Sequence, residues 1–260
     1  MIKMIVTDLD GTLLKTDKTI SESTKNILRK CREKGIKIVY ATGRGGSAKR
    51  VVPSELFDGM ITMNGAVAMV NDVVIYECLI PYQTARPVLM ACEERGIKIT
   101  SENSGMHYSN FAVSDFWPAI TNFKIVDFAQ HELDAEKIYS PNPRLEEKLF
   151  IEKLLPGDLY LVMSSDVTGA LLQIMHRDAT KSKAVSKLAR LWGVEQSEIV
   201  AFGDDFNDVD MLMYAGIGVA MGNAVDEVKA VSDCTCRTND EDGLAMWINE
   251  NILRHCPSPY

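Results

Sequence analysis

Two short acidic clusters hold most of the residues in this sequence that could do chemistry. The first is Asp8-Leu9-Asp10-Gly11-Thr12, where carboxylates at positions i and i+2 meet a turn glycine. Two carboxylates side by side repel unless a proton or a cation intervenes. The second is Gly203-Asp204-Asp205-Phe206-Asn207-Asp208. A lone Asp-x-Asp fits a helix cap as readily as a catalytic site. Two such clusters, each after a short apolar run, point to hard oxygen ligands supplied from two strand ends. That donor set suits Mg2+, which takes one or two carboxylates together with water and substrate phosphate. Thr42, in Thr42-Gly43-Arg44, and Lys181 add a hydroxyl, backbone N–H groups and an ammonium, the donors that phosphate oxygens require.

The elements that must position these residues are readable from the hydrophobic pattern. Residues 2–7 form a short β-branched run, read as a buried strand. Ser21 is an N-cap candidate for a helix with Thr24, Ile27, Leu28 and Cys31 at helical spacing, and Gly35 is its stop. Residues 36–41 are a second strand ending at Thr42. Strand, helix and strand in succession make a βαβ unit with parallel pairing. In open parallel sheets, ligands bind beyond the carboxyl ends of the strands, so Asp8, Asp10 and Thr42 belong at one edge. The rhythm resumes late in the chain with a helix over 181–192, a strand over 198–202 leading into Asp204, and a strand over 216–220. The intervening stretch differs: a hairpin turning at Asn71-Asp72, helices over 84–95 and 144–155, and strands over 159–163 and 171–175. The expected organisation is an α/β core from residues 1–81 and 178–260, interrupted by an α+β module at 82–177.

Composition excludes several function classes. The 260 residues are 46% hydrophobic and 25% charged, which fits a globular chain and not a collagenous or disordered one. With 28 basic against 36 acidic residues the net charge is −8, so no nucleic-acid partner is expected. No apolar run approaches the roughly 20 residues that span a bilayer, and no membrane association is expected. Met1 to Val6 runs directly into Asp8 and Asp10, unlike a secretory leader. The six cysteines, at 31, 78, 92, 234, 236 and 256, form no metal-ligand spacing with the four histidines. Reduced thiols and a cytoplasmic location are the expectation.

In order along the chain, Asp8-Leu9-Asp10-Gly11-Thr12, Thr42-Gly43-Arg44, Lys181 and Gly203-Asp204-Asp205-Phe206-Asn207-Asp208 resemble the four motifs of the haloacid dehalogenase (HAD) superfamily. Asn64-Gly65-Ala66 and the long insertion further resemble its Cof-type phosphatases with a C2-type cap. The resemblance covers essentially the whole chain. It implies a Rossmann-like parallel-sheet core and an inserted α+β cap that sets substrate specificity. Many Cof-type members have glycine after the motif lysine where this chain has Ser182, which leaves Lys183 as a second candidate for that role.

The resemblance also implies the site. Asp8 is the nucleophile forming an aspartyl-phosphate, and Asp10 is the general acid and base. Mg2+ is held by Asp8, the Asp10 main-chain carbonyl and Asp204, with Asp208 in support. Thr42, Gly43, Lys181 and Asn207 hold phosphate, while Arg44 either binds phosphate or pairs with an acidic core residue. The substrate implied is a small phosphorylated metabolite, such as a sugar phosphate, acted on by a monomer or small homo-oligomer. A phosphomutase on the same core and a non-catalytic phosphate- or metal-binding module are the alternatives. Within the insertion, His107-Tyr108-Ser109-Asn110 is a polar, aromatic stretch whose His107, Tyr108 and Asn110 are candidates for substrate contact, or else a surface hairpin.

Overall fold

The fold is known from a computed structural model that describes residues 1–166 and 169–254. Cys256 lies outside them. The chain begins with strand β1 (Met4–Thr7), helix α1 (Glu22–Glu33), strand β2 (Lys37–Ala41) and a single helical turn, α2 (Ala48–Val51). Strand β3 (Gly59–Thr62) follows, then a hairpin of β4 (Val67–Val70) and β5 (Val73–Glu77). The insertion holds α3 (Tyr82–Glu94), β6 (Thr100–Asn103), β7 (Met106–Ser109), β8 (Phe123–Ile125) and β9 (Lys137–Pro141). It continues through α4 (Leu145–Leu154), β10 (Leu159–Asp166) and β11 (Gly169–His176). The chain then returns with α5 (Lys181–Leu191), β12 (Ile199–Gly203), α6 (Val209–Tyr214), β13 (Ile217–Ala220), α7 (Asp226–Val231), β14 (Cys234–Thr235) and α8 (Gly243–Ile248).

Two compact units result. One comprises Met1–Glu77 and Thr180–Tyr260, the other Cys78–Ala179. The first unit is built on one sheet in the order β14-β13-β12-β1-β2-β3-β4-β5. Its pairs are parallel from β14 to β3 and antiparallel through the terminal hairpin. The hairpin turns at Asn71 and Asp72, both with positive φ, as a two-residue turn between twisted strands requires. Strands β1 and β12 are buried at every position, because helices cover both faces of a parallel sheet. Ser21 accepts a hydrogen bond from the Thr24 N–H and so caps α1, whose Thr24, Leu28 and Cys31 enter the core.

The second unit has its own sheet, ordered β10-β11-β9-β6-β7-β8, and its own apolar core. Val88, Leu89 and Cys92 of α3 and Ile151 of α4 pack there with Ile138, Leu172 and Ile174 of the sheet. Helix α3 starts at Tyr82, two residues before the sequence pattern suggests. Its first N–H donates to the Asp134 carboxylate at 2.8 Å, a cap from 52 residues away. Among the described residues no helix is long and apolar enough to cross a membrane.

One tight approach shapes the core. Met63, Asn64 and Gly65 all have positive φ, and a side chain at Gly65 would fall onto the Thr180 carbonyl at the start of α5. Gly35 also has positive φ but has nothing nearby. Gly35→Ala should therefore cost about 1–2 kcal/mol for the left-handed backbone alone. Gly65→Ala should cost more than about 3 kcal/mol, because it adds a clash with fixed backbone. Urea titration of both variants tests this, and equal shifts would contradict the close approach.

Candidate active site

Strands β1 and β12 are neighbours in parallel register, with Thr7 opposite Phe202, so the residues after them emerge side by side. Asp8 continues the ladder, its N–H donating to the Phe202 carbonyl at 3.0 Å. Asp204 follows Gly203 at the end of β12. The next residues form one helical turn in which Asp208 accepts hydrogen bonds from the N–H groups of Asp204 (2.9 Å) and Asp205 (3.1 Å). Carboxylate oxygens of Asp8, Asp204 and Asp208 then lie within 4.8 Å of one another.

Lys181 enters this cluster from the first turn of α5. Thr180 caps that helix through the Lys183 N–H, which fixes Lys181 at its start. Its ammonium donates to Asp8 Oδ1 at 2.7 Å and to Asp208 Oδ1 at 2.6 Å, and its side chain has no exposed surface. Lys183 is exposed, so the cluster's cation is Lys181. Burial opposes the charge on Lys181, but Asp208 and Asp8 outweigh it and hold its pKa above the ordinary lysine value. Burial raises the Asp8 carboxyl well above the usual range; Lys181 works against this, and Asp208 and Asp204 reinforce it. Asp204 is pushed up to about 6 by burial, against a hydrogen bond from Thr12 Oγ1 at 2.6 Å.

Three carboxylates share one ammonium, so full ionisation leaves two negative charges without a partner in the cluster. Both oxygens of Asp208 already accept hydrogen bonds from Lys181 and from backbone. Asp8 and Asp204 are thus the carboxylates with acceptor capacity for a hard divalent cation, and the donor chemistry fits one.

Asp10 faces a different set. Arg44 grips it with a fork, Nε to Oδ2 at 2.5 Å and Nη2 to Oδ1 at 2.6 Å, and Lys18 adds a third contact at 2.8 Å. Burial acts to raise the Asp10 carboxyl, but these hydrogen bonds prevail and hold it at about 2. Of the two roles open to Arg44, the structure thus records pairing with an acidic residue.

Thr42 and Gly43 follow β2, the strand next to β1. The Thr42 N–H donates to Ile61 O at 2.9 Å, and its hydroxyl accepts from the Arg44 N–H at 3.2 Å. Asn64 joins this turn to the second acidic segment. Its N–H donates to Thr42 O at 3.0 Å, and its Oδ1 accepts from Asn207 Nδ2 at 2.9 Å. Sequence reasoning gave no part to Thr12, Lys18 or the Asn64 side chain. Thr12 was legible as the last residue of the first motif; Lys18 reaches Asp10 through a loop with no periodic signal.

The insertion's candidates lie in the second unit. His107 is buried with Nδ1 3.0 Å from the Tyr139 hydroxyl, and Tyr108 packs against the His131 ring. Asn110 braces backbone, accepting from Ile99 N–H at 3.0 Å and donating to Ile97 O at 2.8 Å.

Residues 5–248 match the haloacid dehalogenase-like hydrolase family. The chain belongs to that family. Its relatives in the HAD family include the 5-amino-6-(5-phospho-D-ribitylamino)uracil phosphatase YitU of Bacillus subtilis, 27% identical over 95% of this chain and 96% of that one. The solved structure of BT1666 from Bacteroides thetaiotaomicron, from a study of HAD phosphatases, is 30% identical over 96% and 95% of the two chains, with a TM-score of 0.79. The HAD subclass IIB sugar phosphatase BT4131 is 27% identical over 95% and 98%, with a TM-score of 0.76. The protein is a Cof-type HAD phosphatase, a phosphoric monoester hydrolase acting on small phosphorylated substrates.

Lys181→Met leaves Asp8 and Asp208 buried without their cation and should destabilise this HAD unit by about 3–5 kcal/mol at neutral pH. Asp8, already raised by burial, would lose the cation that opposes that rise and titrate further above its unfolded value of about 3.9, so stability is lost as pH rises and recovered as it falls. The deficit against wild type should shrink on acidification from neutral toward pH about 4. Lys183→Met should shift stability by no more than about 0.5 kcal/mol. Denaturant titrations at several pH values measure both, and a pH-independent deficit in Lys181→Met would contradict the buried triad.

Proposed function

We propose that this enzyme hydrolyses small phosphomonoesters, sugar phosphates and similar metabolites among them, with Mg2+ as its metal and a phosphorylated Asp8 as intermediate. The observation that carries the reading is the buried Asp8 carboxylate, held by Lys181 within one acidic cluster at two adjacent strand ends. An anchored carboxylate beside an ammonium is an oriented nucleophile with a fixed neighbour for phosphoryl charge.

An Asp8 oxygen forms a bond to phosphorus while the bond from phosphorus to the leaving oxygen breaks. Asp10 gives that oxygen its proton. Asp10 then takes a proton from water, whose oxygen attacks phosphorus, and the Asp8–phosphorus bond breaks to release inorganic phosphate and restore Asp8. Thr42, the Gly43 N–H, Lys181 and Asn207 hold the phosphoryl oxygens. Asp8, the Asp10 carbonyl and Asp204 would hold Mg2+, with Asp208 keeping Asp204 and Lys181 in place. Bound there, Mg2+ would supply Lewis-acid charge that offsets the repulsion between a carboxylate and a phosphate dianion.

Acid work by Asp10 requires that Arg44 and Lys18 release it. A phosphate dianion is a competing ligand for the same guanidinium fork, so substrate arrival supplies the means. The inserted unit has the role of discriminating among leaving groups. The named substrate of YitU carries a phosphorylated ribityl chain and BT4131 is a sugar phosphatase, which supports polyhydroxylated phosphates as the class. Free thiols at Cys31, Cys78, Cys92, Cys234 and Cys236 suit a cytoplasmic enzyme.

Asp8→Asn, nearly isosteric, should release phosphate at less than about a hundredth of the wild-type rate; retention of more removes the covalent nucleophile. Excess EDTA should stop turnover and Mg2+ restore it, while Asp204→Asn should raise the Mg2+ concentration for half-maximal rate at least about tenfold. Full activity in EDTA would overturn the metal assignment.

A further inference from the structure

Three consecutive residues of the first unit, Met63, Asn64 and Gly65, hold φ values of 50°, 53° and 105°. Gly65 needs this conformation to pass the Thr180 carbonyl, but Met63 and Asn64 carry side chains, which disfavour it. Such a run persists only where its surroundings over-determine it, and such runs cluster at functional positions. Three contacts fix it here. The Met63 N–H donates to Arg44 O at 3.0 Å, and the Asn64 N–H donates to Thr42 O at 3.0 Å. Asn64 Oδ1 accepts from Asn207 Nδ2 at 2.9 Å, a contact across 143 residues that joins the end of β3 to the turn after β12. Gly43 packs against the same amide, for a Cβ there would lie 3.0 Å from Asn64 Oδ1. Thr42, Gly43, Asn64 and Asn207 thus meet within one compact unit.

Asparagine tolerates a left-handed backbone better than most residues do. That accounts for the Asn64 backbone and leaves its amide without an assigned part. The amide of Asn207 has a donor end and an acceptor end, whereas the oxygens of a phosphate dianion are strong acceptors. Asn207 is exposed, so its own burial does not choose between the two orientations of that amide. The acceptor on Asn64 does choose. Asn207 must turn Nδ2 toward Asn64, which takes one of its two N–H bonds and leaves the second for a phosphoryl oxygen.

We propose that Asn64 is a positioning residue that fixes the Asn207 amide with its NH2 group, and not its carbonyl, toward the phosphoryl group. It rests on the reading above, in which Thr42, Gly43 and Asn207 hold phosphate. The strained run is then the means of delivery: it sets the Asn64 N–H on the Thr42 carbonyl and the Asn64 amide on Asn207, so that one side chain keeps two separate phosphate-holding segments in register.

Glycine separates this role from mere tolerance of the backbone. Asn64→Gly adopts a φ of 53° without strain and removes only the amide, so it should melt within about 3 °C of wild type. It should nevertheless raise KM for p-nitrophenyl phosphate and Ki for inorganic phosphate together, by at least about fivefold. In an Asn207→Ala background the same substitution should change either constant less than about twofold, because Asn64 acts through Asn207. The role is refuted if Asn64→Gly folds and leaves both constants within about twofold of wild type, or if its effect is undiminished in the Asn207→Ala background. Should Asn64→Gly not fold, a crystal structure of wild type with inorganic phosphate decides the matter. Asn207 Nδ2 should lie within about 3.2 Å of a phosphate oxygen while still donating to Asn64 Oδ1, and an Asn207 amide turned away from Asn64 overturns the role. In each case a raised KM in Asn207→Ala alone leaves the phosphatase reading intact. An unchanged KM in Asn207→Ala would instead remove Asn207 from the phosphate-holding set, and the role of Asn64 would fall with it.

Discussion

The buried ammonium of Lys181 between Asp8 and Asp208 is the interaction on which the first unit's site depends. Moving an ion of that size out of water costs several kcal/mol, and only close contacts with opposite charge offset the loss. Three segments must therefore meet: the end of β1, the turn after β12 and the first residue of α5. Each has its own local cause, respectively a parallel ladder, an Asp208 side chain that ties down the N–H groups before it, and a Thr180 cap. No one of them suffices, because a lysine one residue later on α5 would leave the cluster and both carboxylates would remain unpaired.

That dependence constrains where an extra domain can enter the chain. Lys181 is 173 residues from Asp8, yet it must reach it at 2.7 Å. An unstructured segment of such length would add closure entropy to the cluster, although only slowly with length. The inserted unit avoids much of this by folding on its own sheet and core, with Cys78 Sγ 3.5 Å from His176 Nδ1 near its two ends. Its first and last residues are thereby held near each other, and the core returns directly into α5. The insertion can then vary its sheet face without moving the residues of the acidic cluster.

Much of this was legible in the sequence because it depends on local pattern. The apolar runs of β1, β2 and β12, the Ser21 cap and the Asn71-Asp72 turn are decided by neighbours a few residues apart; three of the four motifs lie where those strands end, and Lys181 opens α5. The start of α3 was not legible, since Asp134 caps it from a distance. Nor was the partner of Arg44, which depends on a pairing across 34 residues. His107 illustrates the limit well. Its place in a polar, aromatic stretch singled it out, but its neighbours Glu102 and Lys137 come from other strands, and only the register of three strands makes them a cluster.

Asp8 and Asp10 are two residues apart and occupy opposite electrostatic situations. Asp8 shares one ammonium with two other carboxylates in a dry setting, and burial together with those carboxylates raises its pKa against the pull of Lys181. Asp10 has a guanidinium fork and a second ammonium to itself, so its ionised form is favoured down to about 2. The chain turns after β1 ends at Thr7, so the Asp8 side chain meets Lys181, while the Asp10 carboxylate, about one-third exposed, meets Arg44. Neighbouring carboxyls with diverging affinities for protons are how a site separates a nucleophile from an acid and base. On the proposed reading Asp10 must gain a proton before it can act as the acid. On that reading a phosphate dianion that draws Arg44 toward itself weakens the hold on Asp10. Release of Asp10 is therefore tied to arrival of a group that competes for Arg44, whereas the Asp8 side chain keeps its Lys181 contact.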